Sequence, residues 1–235
     1  MHGRNTPRHS QNAEKGYQVQ DIFYTIQGEG PFAGLPAVFI RLTGCNLRCH
    51  WCDTVWDDEK DEYFTPHQIA EQVKRVALGC KLVVITGGEP CRWDLGPLID
   101  ELHDYRIQVE TAGILWQQAL LDSNVTVVCS PKVAKVHPKF MQYCDHWKYV
   151  VSAGDARPSD GLPIKGTQRP LTEGDPMRGG DMCRPPKDRP VNVYLQPCDE
   201  YDAEKNAANI KHMVEISLKY GYRAGLQLHK LFNVL

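Results

Sequence analysis

Three cysteines, Cys45, Cys49 and Cys52, follow one another at a C-x3-C-x2-C spacing directly after the apolar run Ala37-Val38-Phe39-Ile40-Arg41-Leu42. That run has the length and character of a buried strand, so the thiols sit on the loop at its C-terminal end. Thiolates are soft ligands, suited to iron–sulfur clusters, zinc or copper(I). Such short gaps let one loop wrap a compact metal centre. Three ligands are one short of a closed site. A structural zinc site wants a fourth, and His50, between Cys49 and Cys52, has little slack to supply it. A four-iron cluster on three thiolates keeps one iron open, which is what catalysis needs.

Further apolar runs each stop at a glycine-rich or polar turn. Val19–Ile26 runs into Gln27-Gly28-Glu29-Gly30-Pro31, and Lys81–Thr86 into Gly87-Gly88-Glu89-Pro90. Arg106–Thr111 contains Glu110, Val125–Cys129 precedes Ser130-Pro131-Lys132, and Val191–Leu195 precedes Gln196-Pro197-Cys198-Asp199. Trp147–Val151 is another strand, on which Lys148 reads as a solvent-facing side chain, and a last strand ends in His229-Lys230. Helices fall between the runs. Thr65, Pro66 and Gln68 form an N-terminal capping box, Ile69, Val73, Val76 and Ala77 mark the buried face, and Gly79 fits the stop. Leu95–Asp104 and residues 114–122 read as shorter helices. Asp202–Tyr220 reads as a long one, with Ala207, Ile210, Val214 and Ser217 on one face and Gly221 as its stop. Strands alternating with helices argue an α/β fold. The ligand-like residues recur at strand C-termini, the face that barrel enzymes use. The expectation is a partial (incomplete) TIM-like barrel of about six parallel strands with fewer or shortened helices.

The chain has 235 residues, enough for one sizeable core. Residues 1–16 read as a disordered tail or vector remnant and 17–235 as one catalytic domain. Residues 152–190 read as an insertion near the active-site mouth, a lid or a protein-contact loop, with seven prolines and six glycines between Gly154 and Pro190. Residues 55–64 read as an acidic solvated loop. A net charge of −2 recruits neither nucleic acid nor membrane, and no apolar run has the length of a membrane span. Nine cysteines without an export signal fit an iron–sulfur protein in a reducing cytoplasm better than a disulfide scaffold. The six cysteines outside the triple read as mostly small buried hydrophobes.

The cysteine triple followed by Gly87-Gly88-Glu89-Pro90 resembles the radical S-adenosylmethionine (SAM) enzymes. Within them, F-Y-T-x-Q-G-E-G over Phe23–Gly30, just before the cysteines, resembles the 7-carboxy-7-deazaguanine synthase family. The resemblance implies a radical SAM barrel with a 4Fe–4S cluster on Cys45, Cys49 and Cys52, SAM on the open iron, and Mg2+ on Thr54. It implies SAM contacts from Gly88, Glu89, Glu110, Ser130, Pro131, Lys132, Gln196, Pro197, Cys198 and Asp199. It implies pterin contacts from Ile26, Gln27, Gly28, Glu29, Thr86, His229 and Leu235, with Arg41 clamping the substrate carboxylate. The implied reaction turns 6-carboxy-5,6,7,8-tetrahydropterin into 7-carboxy-7-deazaguanine, with ring contraction and loss of ammonia. An electron donor such as flavodoxin or ferredoxin, and a homodimer, are implied as well. Many members end in proline where this chain has Leu235.

Each motif also has a plainer reading. Gln27–Gly30 and Ser130–Lys132 are ordinary turns in most proteins, Arg41 could serve a structural ion pair, and Glu110 could be a solvated strand-end acid. Two other functions stay open on the sequence: an activase that makes a glycyl radical on a partner protein, and a zinc-binding interaction module.

Overall fold

Spatial order follows chain order across one eight-stranded sheet. The strands are β1 (Val19–Ile26), β2 (Pro36–Leu42), β3 (Leu82–Gly87), β4 (Arg106–Thr111), β5 (Val125–Cys129), β6 (His146–Val151), β7 (Asn192–Pro197) and β8 (Arg223–Ala224). β1 runs antiparallel to β2, and every later neighbour is parallel. Parallel strands in sequential order with helices behind them curl into a barrel. Here β1 and β8 stay unpaired with each other, so the barrel is partial. The structure, a computed structural model, describes residues 16–52, 54, 62–166 and 181–234. The expected tail up to residue 15, Asp53, most of the 55–64 loop, the centre of the Pro/Gly-rich segment and Leu235 lie outside the described residues.

Apart from the long α4, the described helices are short, as expected. They are α1 (Pro66–Val76), α2 (Gly96–Glu101), α3 (Pro138–Tyr143), α4 (Ala203–Tyr220) and α5 (Leu228–Leu231). α1 starts where the capping box puts it: Gln68 N donates to Thr65 Oγ1 at 3.2 Å, and Thr65 N donates to Gln68 Oε1 at 2.8 Å. α4 is capped by Asp202, which accepts from Glu204 N and Lys205 N at 3.0 Å each, and ends at left-handed Gly221 with φ 75°. Residues 114–122 form only a 3-10 turn at Gln118–Leu121. The expected final strand through His229-Lys230 is instead α5, and the strand before it is the two-residue β8.

Alternation along the strands separates two environments. Val38, Ile40, Leu42, Val83, Ile85, Ile107, Val109, Trp147, Tyr149, Val151 and Leu195 join one apolar core with Ile69, Val73, Leu98 and Ile99 of the helices. The residues between them, Arg41, Thr86, Glu110, Lys148 and Gln196, line the opposite face, where the cavity lies. α4 buries Asn209, Met213, Ile216 and Ser217, whereas Ile210 and Val214 are each 42% exposed and Leu218 82%. Of the expected face, Ala207, Ile210, Val214 and Ser217, Ser217 is buried and the other three are exposed, so the buried stripe is rotated from it. Asn209 turns it, donating to Cys198 O at 2.9 Å and accepting from Ala153 N at 2.7 Å.

The described parts of the 152–190 segment take the place of a helix between β6 and β7. Arg184 organises them, donating to Asp160 Oδ2 at 2.8 Å and to the Pro163 and Met182 carbonyls at 2.7 and 3.0 Å. Tyr220 and Tyr222 donate to Pro158 O and Asp160 O at 2.7 and 2.8 Å, tying the segment to the end of α4. Among the described residues no helix is long and apolar enough to cross a membrane.

Candidate active site

At the C-terminal ends of the strands lies a cavity of about 490 Å³. The loop after β2 brings Cys45, Cys49 and Cys52 to its wall, with Thr54 just beyond. The turn after β3 packs directly against that loop. Glu89 N donates to Gly44 O at 3.0 Å, and a Cβ on Gly88 would stand 1.9 Å from the same carbonyl. Only glycine fits there, which accounts for the second glycine of the G-G-E-P turn. All nine cysteines are free thiols. Among the described residues no three His, Cys, Asp or Glu side chains converge as they would on a single ion. Cys45, Cys49 and Cys52, three free thiols on one loop at the cavity wall, are the residues that would hold an iron–sulfur cluster. Burial, then the neighbouring Glu89 carboxylate, pushes the Cys45 thiol up to about 12.

The opposite wall is polar and tied together. Glu110 accepts from Gln108 Nε2 at 2.8 Å, Gln27 Nε2 at 3.0 Å and Thr86 Oγ1 at 3.1 Å. Arg41, on the same face of the sheet, lies with its guanidinium 5.1 Å from the centre of the Phe23 ring. Among the described residues it has no ion-pair partner. Lys132 donates to Ser130 O at 2.7 Å and sits 5.3 Å from the Trp51 ring centre. Burial pushes its pKa down.

Of the residues read from the sequence, the cavity gathers Cys45, Cys49, Cys52 and Thr54; Ile26, Gln27, Glu29, Arg41, Thr86 and His229; and Gly88, Glu110, Ser130, Lys132 and Gln196. Gly28 sits behind the wall, where a Cβ would come within 2.2 Å of His229 Nδ1. Pro131, Pro197, Cys198 and Asp199 do not line the cavity. Cys198 is buried with its carbonyl held by Asn209. Asp199 accepts from Lys230 Nζ at 2.8 Å and Asn206 Nδ2 at 2.9 Å, and the Lys230 contact, over the opposing effect of burial, lowers its pKa to about 2. Glu89 also points away. Its buried carboxylate accepts from Thr111 Oγ1 at 2.6 Å, Ala112 N at 2.8 Å and Cys91 N at 3.0 Å. Leu235 lies outside the described residues.

Lys148 does not face solvent. It lines the cavity and pairs with Glu29. The signal was in the strand itself: Trp147, Tyr149 and Val151 take the core face, so Lys148 and Val150 must take the other. Phe23, Trp51, Thr111 and Gln227 also line the cavity. Phe23, Thr111 and Gln227 stand in the F-Y-T-x-Q-G-E-G, E-T-x-G and Q-x-H-K patterns but were not themselves assigned a contact, and Trp51 carried no signal beyond lying next to Cys52.

Residues 39–130 match the family model of the Radical SAM superfamily. Partial barrel, cysteine loop and matched span together define a radical SAM protein, a class that uses SAM and a 4Fe–4S cluster. Finer kinship comes from whole-chain relatives. The chain is 37% identical over 242 residues to a 7-carboxy-7-deazaguanine synthase of Rhodospirillum rubrum, covering 100% of both. It is 32% identical to one of Aquifex aeolicus, covering 92% of this chain and 93% of that one. A solved structure, "Crystal structure of QueE from Escherichia coli", matches with TM-score 0.64 and 26% identity over 92% of this chain and 95% of that chain. The chain belongs to the 7-carboxy-7-deazaguanine synthase family. Neither the activase nor the zinc-module reading survives that kinship.

Proposed function

We propose that the chain converts 6-carboxy-5,6,7,8-tetrahydropterin to 7-carboxy-7-deazaguanine, the 7-deazapurine precursor of queuosine-type nucleosides. One observation carries the substrate assignment. Arg41, with no ion-pair partner among the described residues, brings its guanidinium to the cavity wall beside Thr86. A cation in that position is costly without a partner, and a planar fork matches a carboxylate. The substrate brings that carboxylate.

When bound, the cluster and SAM supply the radical that takes hydrogen from the pterin and starts its ring contraction. The protein's own residues bind, orient and enclose. Cys45, Cys49 and Cys52 would hold the cluster. Gly88, Glu110, Ser130, Lys132 and Gln196 would meet SAM, the glycine through its backbone. Glu29, Thr86 and His229 would meet the pterin ring, joined by the backbone of Ile26–Gly28. Thr54 would contribute one hydroxyl to Mg2+; a neutral oxygen is a weak ligand, so substrate oxygens and water must complete the octahedron. Glu89 acts from behind, holding the turn after β3 to the end of β4. α5 brings His229 to the cavity wall. A one-electron donor such as flavodoxin or ferredoxin, and a homodimer in solution, complete the reading.

Equilibrium binding tests the assignment. The anaerobic holoenzyme with SAM should bind the carboxytetrahydropterin at least about tenfold tighter than the same pterin without its carboxylate, a difference of about 1.4 kcal/mol. Equal affinity for the two would remove Arg41's role and the substrate reading with it.

A further inference from the structure

Glu29 and Lys148 form an ion pair in the cavity wall, with side chains only 12% and 14% exposed. The two residues are 119 positions apart. Glu29 stands on the turn after β1, and Lys148 on β6. Gln227, on the segment after β8, donates to the other Glu29 carboxylate oxygen at 3.0 Å. The Glu29 N–H donates to Gln27 Oε1 at 3.0 Å, and Gly28 O accepts from Leu228 N at 3.5 Å. β1 and β8 are the two free edges of the sheet, with no ladder between them. This polar knot spans the gap the ladder leaves open.

A buried ion pair is a poor device for stability alone, since desolvation offsets its attraction. Its placement points elsewhere. The Glu29 carboxylate faces the cavity, where an acceptor suits the N–H-rich edge of an aminopyrimidinone ring. Left to turn freely, a carboxylate on a glycine-flanked turn would have to be ordered by each incoming ligand, at a cost in affinity. Lys148 and Gln227 remove that freedom beforehand. We propose that Lys148 is a positioning residue for pterin recognition: with Gln227 it fixes the Glu29 carboxylate in the cavity wall as a preformed acceptor and joins the two open edges of the barrel around it. This rests on the pterin reading of the cavity. The electrostatics agree. Burial alone would raise the Glu29 pKa, but the Lys148 ammonium, helped by Gln227 and His229, holds it well below the usual carboxylate range.

The test is a double-mutant cycle on pterin affinity, by calorimetry of the anaerobic holoenzyme with SAM. Its members are wild type, Lys148→Met, Lys148→Arg, Glu29→Gln and the double Lys148→Met/Glu29→Gln. Lys148→Met should weaken binding about tenfold or more, Lys148→Arg should restore most of it, and the double variant should bind no worse than Glu29→Gln alone, because Lys148 acts through Glu29. Wild-type affinity in Lys148→Met overturns the proposal. So does a double variant whose loss is the product of the two single losses, which would mean an independent role. Should Lys148→Met fail to fold, the double variant, which buries no unpaired charge, still decides: parity with Glu29→Gln supports the proposal and a further tenfold loss overturns it. A wild-type holoenzyme that does not bind the pterin at all removes the functional reading and this inference together; binding that ignores Lys148 removes only the inference.

Discussion

The Thr111 hydroxyl donates to the Glu89 carboxylate at 2.6 Å, with both side chains buried. That bond, with Ala112 N and Cys91 N on the same carboxylate, ties the turn after β3 to the end of β4. Burial raises the Glu89 pKa despite these donors. Glu89→Ala should orphan buried backbone donors at roughly 1–3 kcal/mol each and lower the melting temperature by several degrees. Glu89→Gln keeps an acceptor oxygen and should lose less. Thermal unfolding checks the order; equal losses would contradict it.

Cys49→Ala should abolish SAM cleavage and lower iron and sulfide content after anaerobic reconstitution, because two thiolates do not hold a three-point cluster. Iron and sulfide analysis with a chromatographic assay for SAM cleavage reads both. Full cleavage in the variant would contradict the cluster assignment.

Arg41→Ala should weaken pterin binding by roughly 10- to 100-fold, the range for losing a charge-assisted pair. Arg41→Lys should recover only part, since an ammonium lacks the two-point fork. Calorimetric titration of wild type and both variants measures this.

Asp199 and Lys230 give a pH dependence with a definite sign. The folded Asp199 pKa of about 2 lies below its ordinary 3.8, so its contribution to stability is present above about pH 4 and disappears as pH falls toward 2. Urea midpoints of wild type and Asp199→Asn should therefore differ at neutral pH and converge in acid. Both side chains are partly exposed, so the difference should be small and should shrink with salt.

Much of this molecule can be read from local pattern. Strand identity follows from short apolar runs, and the cysteine spacing announces a metal. The Thr65 box marks the start of α1 and Gly221 the end of α4, because caps depend on neighbours three or four residues away. What sequence misread depends on distant contacts. The alternation of β6 takes Lys148 off the core face, but only the turn carrying Glu29, 119 positions away, makes the face it enters a cavity wall. The α4 face is turned by Asn209, whose partners Ala153 and Cys198 belong to other segments. The expected strand ending in His229-Lys230 is instead α5, which closes over the turn after β1. Asp199, an implied SAM contact, also accepts from Lys230 of α5, a pairing that no local pattern announces.

Anaerobic turnover tests the central claim most directly. Reconstituted protein with SAM, a strong reductant, Mg2+ and 6-carboxy-5,6,7,8-tetrahydropterin is quenched and analysed by mass spectrometry. The account predicts 7-carboxy-7-deazaguanine with release of ammonia; SAM cleaved while the pterin is recovered intact would contradict it.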